Sequence, residues 1–185
     1  MEEYLFFHTR FSAAPAFIFE REQKFTYLSW QPKYSFEIVV DQIRTPFNVG
    51  SILRLIDNFG LKRLVHSTSW LQLNHPQLRK AARGCEHWIP VVYESDLPAY
   101  LAQTTLPIIG LENDEETVSI NDWEVPAACV LVLGNDSYGI TSAIRLHCDQ
   151  TVSIPMSGFK RSMNVHHALA IVCQKIVASC PKSSD

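Results

Sequence analysis

The chain has 185 residues, of which 46% are hydrophobic and 19% charged, proportions that suit one globular domain and exclude a disordered chain. No apolar run reaches the roughly 18–20 residues needed to cross a bilayer, and the two glutamates next to Met1 argue against a secretory signal. The net charge of −3 gives no overall indication of nucleic-acid binding.

The charges are unevenly distributed along the chain. Residues 44–83 hold seven Lys or Arg residues and the single acid Asp57, whereas residues 94–149 hold ten acids and the single base Arg145. A polyanion would therefore contact the first half of the domain rather than the second. The alternative is that these charges only keep helix faces solvated.

The cysteines and histidines indicate the redox compartment and argue against a metal site. The five cysteines are odd in number and contain no C-x-x-C pair, so we expect free thiols and a cytoplasmic protein. His66, His75 and His87 do not have the spacing of metal ligands, and we expect no metal. The cysteines are Cys85, Cys129, Cys148, Cys173 and Cys180.

The first 35 residues are rich in aromatic side chains and differ from the rest of the chain. Ala16–Phe19 and Phe25–Leu28 could pair as a hairpin. We interpret residues 1–35 as an extension too short to form an independent domain. Its aromatic side chains could stack on nucleic-acid bases or pack on the core, and packing is the favoured interpretation.

From residue 36 onwards, strand and helix patterns alternate. Short apolar runs bounded by turns predict six strands: Phe36–Val40, Arg63–Val65, Trp88–Val92, Pro107–Leu111, Ala128–Leu133 and Thr151–Ile154. Helical spacing of apolar residues predicts four helices: Val49–Phe59, Asp96–Gln103, Thr141–Leu146 and Val165–Ala178. This alternation predicts an α/β domain over residues 36–185, with a mostly parallel sheet and helices on both faces.

The first motif runs from Ile38 to Gly60 and reads strand, turn, helix. Pro46 cannot continue a strand ladder, Asn48 is placed where a helix N-cap is expected, and Gly50 permits close backbone approach. Arg54 follows Asn48 by a little under two helical turns. An ordinary strand–turn–helix connection could also need these residues.

The second motif runs from Val130 to Gly139, where a buried strand ends in Gly134. Loops at strand ends form the usual ligand crevice of open α/β sheets, and their backbone amides can hold the polar edges of a nucleoside. The glycine spacing matches neither the dinucleotide fingerprint nor the phosphate loop. A tight turn without function remains the alternative.

The third motif runs from Val152 to Val165. Ser162 and Asn164 are small polar residues at the start of a helix, where they could cap the helix or orient a substrate hydroxyl. Lys160 and Arg161 lie beside them, where they would suit a phosphate backbone.

Together and in this order, the three motifs resemble the signatures of the SpoU (TrmH-like) family of SPOUT RNA ribose 2′-O-methyltransferases. The matching segments are Asn-Val-Gly-Ser-Ile-Leu-Arg from Asn48, Leu-Gly-Asn-Asp from Leu133, and Ile-Pro-Met-Ser-Gly from Ile154 with Ser-Met-Asn-Val from Ser162. The segment Ala82–Val91 also resembles the family's small-Gly-small stretch before a strand. The resemblance covers Ile38 to Val177.

The resemblance implies an enzyme that transfers a methyl group from S-adenosylmethionine to a ribose 2′-OH of tRNA or rRNA. It implies a homodimer with a deep C-terminal trefoil knot and an active site near the subunit interface. The implied catalytic residues are Arg54, Asn48, Ser162 and Asn164. The implied cofactor-binding residues are Leu133, Gly134, Asn135, Gly139, Ile154, Met156, Ser162 and Met163. The implied RNA-binding residues are Arg54, Arg83, Lys160 and Arg161.

In the SpoU family, the arginine at the position that Arg54 matches is proposed to activate the substrate hydroxyl. A guanidinium is almost always protonated in proteins, so we prefer a bidentate grip on the adjacent phosphate that orients the ribose.

Two departures from the family pattern leave alternatives open. Asp136 and Ser137 stand where the family usually has Glu-Gly. His166 and His167 follow the third motif, where they could contact RNA or be exposed spacers, and exposure is the favoured interpretation. A catalytically weakened RNA-binding or scaffold protein with the same fold is one alternative. An unrelated nucleotide-binding enzyme on a doubly wound sheet is another.

Overall fold

The computed structural model describes residues 30–114, 117–135 and 137–179, so the hairpin proposed within the first 29 residues lies outside the described part. The strands are β1 (Ser35–Val40), β2 (Arg63–His66), β3 (Val91–Tyr93), β4 (Ile108–Leu111), β5 (Val118–Ser119), β6 (Ala128–Leu133) and β7 (Gln150–Ser153). The α-helices are α1 (Pro46–Phe59), α2 (Pro76–Ala82), α3 (Leu97–Ala102), α4 (Ser142–Arg145) and α5 (Val165–Ser179).

In the described residues, the seven strands form one sheet in the order β3-β2-β1-β6-β4-β7-β5, and every pairing is parallel. The central pair is β1 with β6, in register from Ser35 opposite Ala128 to Val40 opposite Leu133. Five of the six residues in each of these strands are buried. Both faces of the sheet are therefore covered, which explains why these strands are continuously apolar rather than alternating.

Helices pack on both faces of the sheet, as predicted. On one face, Ile38 and Val40 of β1 pack with buried residues of α1, α2 and α5. On the other face, Val39 packs with buried residues of α3 and α4. Trp30 joins the first of these cores, and its indole N–H donates to the carbonyl of Leu61 at 3.0 Å. The described end of the aromatic segment thus packs on the domain.

All six predicted strands are present, but the third begins later than predicted. The segment before it forms a 3₁₀-helix, Cys85–His87. Trp88 follows that helix and donates from its indole N–H to the Asp57 carboxylate at 2.8 Å. The prediction that Trp88 belongs to the strand was wrong because the side chain anchors this turn to α1 instead.

Besides this 3₁₀-helix, two elements were not predicted. Helix α2 buries only Leu78 and Ala82, too few apolar positions to give a helical period. Strand β5 has two residues, too short for any strand pattern. None of the described helices has the length and apolar composition needed to span a bilayer.

A buried acid, Glu37, joins β1 to β2 and α3. Its carboxylate accepts hydrogen bonds from Lys62 at 2.6 Å, from Arg63 at 3.0 Å and from the Tyr100 hydroxyl at 2.6 Å. Burial raises the pKa of Glu37, but the hydrogen bonds from Lys62, Tyr100 and Arg63 outweigh burial and leave the pKa below its ordinary value. The charged carboxylate therefore contributes stability above the ordinary glutamate pKa, and this contribution is lost as the pH falls through the lowered value.

We expect Glu37→Gln to lower the free energy of unfolding at pH 7 by about 2 kcal/mol, because it removes a charged acceptor shared by three donors. Urea denaturation of both proteins from pH 7 down to pH 3 measures this difference, which should shrink as Glu37 of the wild type becomes protonated. The exposed Glu124 provides the control, since Glu124→Gln should change stability by less than about 0.5 kcal/mol. A Glu37→Gln effect that is the same at every pH would contradict this role of the charge.

Candidate active site

A cavity of about 310 Å³ opens at the carboxyl edge of the sheet, beside the ends of β4, β6 and β7. Because all strands are parallel, the loops that follow them meet at this edge. All eight residues predicted to bind the cofactor line this one cavity: Leu133, Gly134, Asn135, Gly139, Ile154, Met156, Ser162 and Met163. The structure thus brings the second and third motifs together, although they are separated in sequence by α4 and β7.

The loops after β1 and β6 are joined by hydrogen bonds that fix one wall of the cavity. The Asp41 N–H donates to the Leu133 carbonyl at 2.8 Å, and the buried Asp41 carboxylate accepts from the Thr141 N–H at 2.8 Å. The Asn135 amide donates to the Gln42 carbonyl at 2.6 Å. Gln42 has a φ of 51°, which is uncommon for a residue other than glycine. The loop of the first motif, after β1, therefore holds in place the second-motif loop that lines the cavity.

The turn of the second motif depends on two glycines. Asn135 and Gly139 exchange both backbone hydrogen bonds, at 2.9 and 3.0 Å. Gly139 has a φ of 68°, and a Cβ there would overlap the Glu112 carboxylate. A Cβ at Gly134 would overlap the backbone of Gly139 and Ile140. The turn can form only without side chains at these two positions.

Glu112, which the motifs did not indicate, is an acid in the wall of the cavity. Its carboxylate accepts from the Ile140 N–H at 3.2 Å, and its neighbour Asp114 pairs with Arg145 at 2.8 Å. Burial raises the pKa of Glu112, the Ile140 hydrogen bond lowers it and Asp114 raises it, and the net shift is upward. Its position directly after the buried strand β4 was the signal in the sequence that could have identified it.

Since the folded protein disfavours the charged form of Glu112, stability falls as the pH rises from the ordinary glutamate pKa through the raised value. We expect Glu112→Gln to raise the free energy of unfolding at pH 7 by about 0.5–1 kcal/mol, a typical size for a stabilising substitution, because it removes a carboxylate charge that burial disfavours. Below the ordinary glutamate pKa both proteins are neutral here and the gain should vanish. Chemical denaturation at pH 7 and pH 4 tests this, and a destabilised variant at pH 7 would contradict it.

The first motif also reaches the third motif directly, through Asn48. The prediction that Asn48 caps α1 was wrong, because α1 begins at Pro46 after Thr45, and Asn48 lies buried within the first turn. Its side-chain oxygen lies 3.1 Å from Nδ1 of His166. His166 was expected to be exposed but is half-buried, since it also contacts the Phe47 ring edge-on. His167 is exposed, as expected.

The two polar residues at the start of α5 have different surroundings. The Asn164 side chain accepts from the His166 N–H at 3.2 Å, and its carbonyl accepts the first helical hydrogen bonds. Asn164 therefore caps the helix, which is the structural alternative left open by its sequence. Ser162 is exposed and lines the cavity. Of the two, Ser162 is the one placed to contact a ligand there.

The four residues predicted to bind RNA are all exposed. Arg161 also lines the cavity, whereas Arg54 does not. Arg54 follows Asn48 by six positions in α1, which places it about 240° around the helix axis. Arg83 follows α2 as its C-cap with a φ of 56°, and Lys160 precedes Arg161 in the loop after β7. The structure therefore does not bring Arg54 to the cavity within one chain.

Within the described residues, no group of three metal-binding side chains comes together. The four described cysteines are all free. Cys180 lies outside the described residues, as does Asp136 of the second motif. Burial raises the pKa of Cys129 and of Cys173 to about 12. These two thiols are therefore protonated core residues rather than nucleophiles.

Residues 35–174 match the model of the SpoU rRNA Methylase family. The chain belongs to this family. It is 27% identical over 141 residues to a tRNA (guanosine(18)-2′-O)-methyltransferase of Saccharomyces cerevisiae, an alignment covering 73% of this chain and 10% of the yeast protein. It is 28% identical over 144 residues to the 23S rRNA (guanosine-2′-O-)-methyltransferase RlmB of Haemophilus ducreyi, covering 76% of this chain and 58% of that protein.

The fold agrees with solved structures of SpoU proteins. The SpoU methyltransferase AviRb from Streptomyces viridochromogenes, solved in complex with AdoMet, superposes with a TM-score of 0.69 at 26% identity. The match covers 80% of this chain and 60% of AviRb. This chain thus spans less than two thirds of the length of each of these three SpoU relatives.

Proposed function

We propose that this SpoU-family chain is an S-adenosylmethionine-dependent methyltransferase that modifies a ribose 2′-OH of tRNA or rRNA. The observation that carries the proposal is that every residue predicted to bind the cofactor lines the same cavity at the carboxyl edge of the sheet. The names of the yeast and Haemophilus relatives, both RNA 2′-O-methyltransferases, support the same activity. The AdoMet-bound AviRb supports the cofactor.

The residues of the cavity fit this cofactor. Leu133, Ile154 and Met163 provide apolar surface for an adenine ring, in a volume typical of small-molecule sites. The tight turn between Gly134 and Gly139 presents backbone instead of side chains. Glu112 offers negative charge toward a ligand that carries a sulfonium and an ammonium group.

When bound, S-adenosylmethionine supplies a methyl group on a positively charged sulfur, which a ribose oxygen can attack in line. The chain must hold that hydroxyl in position and exclude competing water. Ser162 lines the cavity and can hydrogen-bond the hydroxyl. Arg54 holds the adjacent phosphate through its two parallel N–H groups and thereby orients the ribose. A guanidinium remains protonated in proteins, so Arg54 positions the substrate, and the hydroxyl proton leaves toward the phosphate that Arg54 holds and then to solvent.

We also propose a homodimer in which Arg54 serves the cavity of the other subunit. Arg54 is exposed on α1 and lies outside the cavity of its own chain. The exposed apolar side chains Phe47 on α1 and Ile171 on α5, 42% and 41% exposed, favour a contact over these two helices, which pack against each other. A partner docked there would bring a second α1 toward the active site.

A trefoil knot at the C-terminus belongs to the same proposal. Strand β7 lies between β4 and β5, so the earlier connection from β4 to β5 crosses the end of a later strand. The Asn113 side chain in that connection donates to the carbonyl of Arg161 in the loop after β7. This contact supports a chain that passes through the earlier loop before α5.

The free thiols of the described cysteines support the expected reducing, cytoplasmic location.

Calorimetric titration of the protein with S-adenosylmethionine, ATP and NAD tests the cofactor assignment. We expect binding of S-adenosylmethionine alone; a preference for ATP or NAD would instead indicate an unrelated nucleotide-binding enzyme. Incubation with methyl-labelled cofactor and unmodified tRNA or rRNA then separates the enzyme from a scaffold. Cofactor binding without labelled RNA would favour the weakened RNA-binding protein.

A further inference from the structure

Two exposed aromatic side chains lie in loops whose neighbouring residues line the cavity. Tyr138 is 73% exposed and lies between Ser137 and Gly139, which both line the cavity. Phe159 is fully exposed and lies between Met156 and Arg161, which also line it. Folded chains normally bury most of an aromatic ring, so two exposed rings beside one cavity suggest a ligand that covers them.

Each of these rings is accompanied by positive charge. The guanidinium of Arg44, in the loop after β1, lies 5.2 Å from the centroid of the Tyr138 ring, a cation–π distance. Phe159 is followed directly by Lys160 and Arg161, both exposed. The loops after β1, β6 and β7 thus contribute to one rim, which we define as Arg44, Tyr138, Phe159, Lys160 and Arg161.

Both described acids that line the cavity, Glu112 and Asp114, have partners outside this rim. Asp114 pairs with Arg145, and Glu112 accepts the Ile140 N–H within the cavity wall. The segment 154–164 contains no acid, and two of its residues are basic. The rim therefore combines aromatic faces with positive charge, which is the chemistry of a surface for unpaired nucleic acid.

We propose that this rim binds unpaired RNA, with bases stacked on Tyr138 and Phe159 and phosphates held by Arg44, Lys160 and Arg161. Bases inside an A-form duplex already stack on each other, so exposed rings can engage only nucleotides of a loop, bulge or single strand. The inference rests on the proposed function and narrows its substrate class. The target ribose would belong to an unpaired nucleotide whose neighbours lie on the rim.

Fluorescence anisotropy with the full chain tests the proposal, using a labelled single-stranded RNA oligonucleotide without secondary structure and the same sequence annealed as a duplex. We expect the single strand to bind at least about tenfold more tightly. Tyr138→Leu and Phe159→Leu should each weaken single-strand binding by about tenfold, since leucine keeps apolar bulk but has no face for stacking. Tyr138→Phe, which keeps the ring, should bind like the wild type.

Tyr93 provides the matched control because it is 51% exposed and ends β3, at the far edge of the sheet from β7. Tyr93→Leu should leave RNA affinity unchanged. As a direct readout of stacking, 2-aminopurine in the single strand should be quenched by the wild type and less by Tyr138→Leu. Equal affinity for single strand and duplex, or unchanged binding by both rim variants, would overturn the proposal and point to a protein partner.

Methyl transfer measured on the same proteins distinguishes this inference from the proposed function. If the wild type methylates RNA and the rim variants bind the single strand as tightly as the wild type, the RNA-binding role of the rim is refuted and the methyltransferase activity is supported. Loss of single-strand binding by the variants, in a protein that transfers no methyl group, would support the rim and refute the activity.

Discussion

Replacing Arg54 with alanine should reduce methyl transfer to RNA by about a hundredfold or more, the size of effect seen when one oriented donor to the reacting group is removed. The dissociation constant for S-adenosylmethionine should change by less than about twofold, because Arg54 lies outside the cavity of its own chain and, at the partner's cavity, would hold the RNA phosphate rather than the cofactor. Single-turnover assays and calorimetry measure the two quantities. Retention of full turnover by Arg54→Ala would refute the role.

Two further variants make this prediction specific. Arg54→Lys keeps the charge but loses the planar pair of N–H donors, so most of the activity should still be lost. Lys33, an exposed cation that precedes β1 at the opposite edge of the sheet, is the matched control. Lys33→Ala should methylate RNA at the wild-type rate, whereas an equal loss would indicate a general effect of surface charge.

Mixed dimers test whether Arg54 acts on the cavity of the partner subunit. Co-expression of differently tagged Arg54→Ala and Gly134→Val chains gives dimers in which an intact cavity and an intact Arg54 lie on different subunits. If Arg54 acts across the interface, each isolated mixed dimer has one complete site and should show about half of wild-type activity. Absence of activity in the mixed dimer would place Arg54 and its cavity in the same subunit.

Gly134→Ala should weaken S-adenosylmethionine binding by about 10- to 100-fold, the equivalent of roughly 1–3 kcal/mol of backbone strain in the turn of the second motif. The added Cβ would overlap the backbone of Gly139 and Ile140, and no side-chain rotation can relieve a backbone contact. Calorimetry measures the affinity, and circular dichroism checks that the fold is retained.

Gly158 is the matched control for this substitution. It lies in the loop of the third motif, and a Cβ built there meets no atom within 4 Å. Gly158→Ala should therefore bind the cofactor within about twofold of the wild type. If Gly134→Ala also binds normally, the close approach at Gly134 does not shape the cofactor site.

The central sheet could be predicted because its strands are buried on both faces, which leaves continuous apolar runs such as that of β6. Elements with little buried surface could not, and α2 is the clearest example. Its two buried residues, Leu78 and Ala82, contact α1 closely enough that a side chain at Gly50 would meet the carbonyl of Leu78. The close-approach role predicted for Gly50 is confirmed, but the helix it approaches left no periodic signal.

The cavity was predictable where it is built from motifs and unpredictable where it depends on strand order. Gly134 and Ser162 were identified from their own segments. Glu112 enters the cavity only because β4 lies between β6 and β7, an order that no local pattern specifies. His166 was misjudged for a similar reason, since its contact with Asn48 depends on how α5 packs against α1.

The most direct test of the proposed activity is to determine the chemical position of a transferred methyl group. The protein is incubated with methyl-labelled S-adenosylmethionine and, in parallel, with unmodified tRNA and rRNA, and the RNA is then hydrolysed in alkali. A methylated 2′-oxygen cannot attack the neighbouring phosphate, so we expect label in alkali-resistant dinucleotides. Label confined to mononucleotides would indicate base methylation, and no label in either RNA would indicate no transfer; either result would contradict the proposed activity.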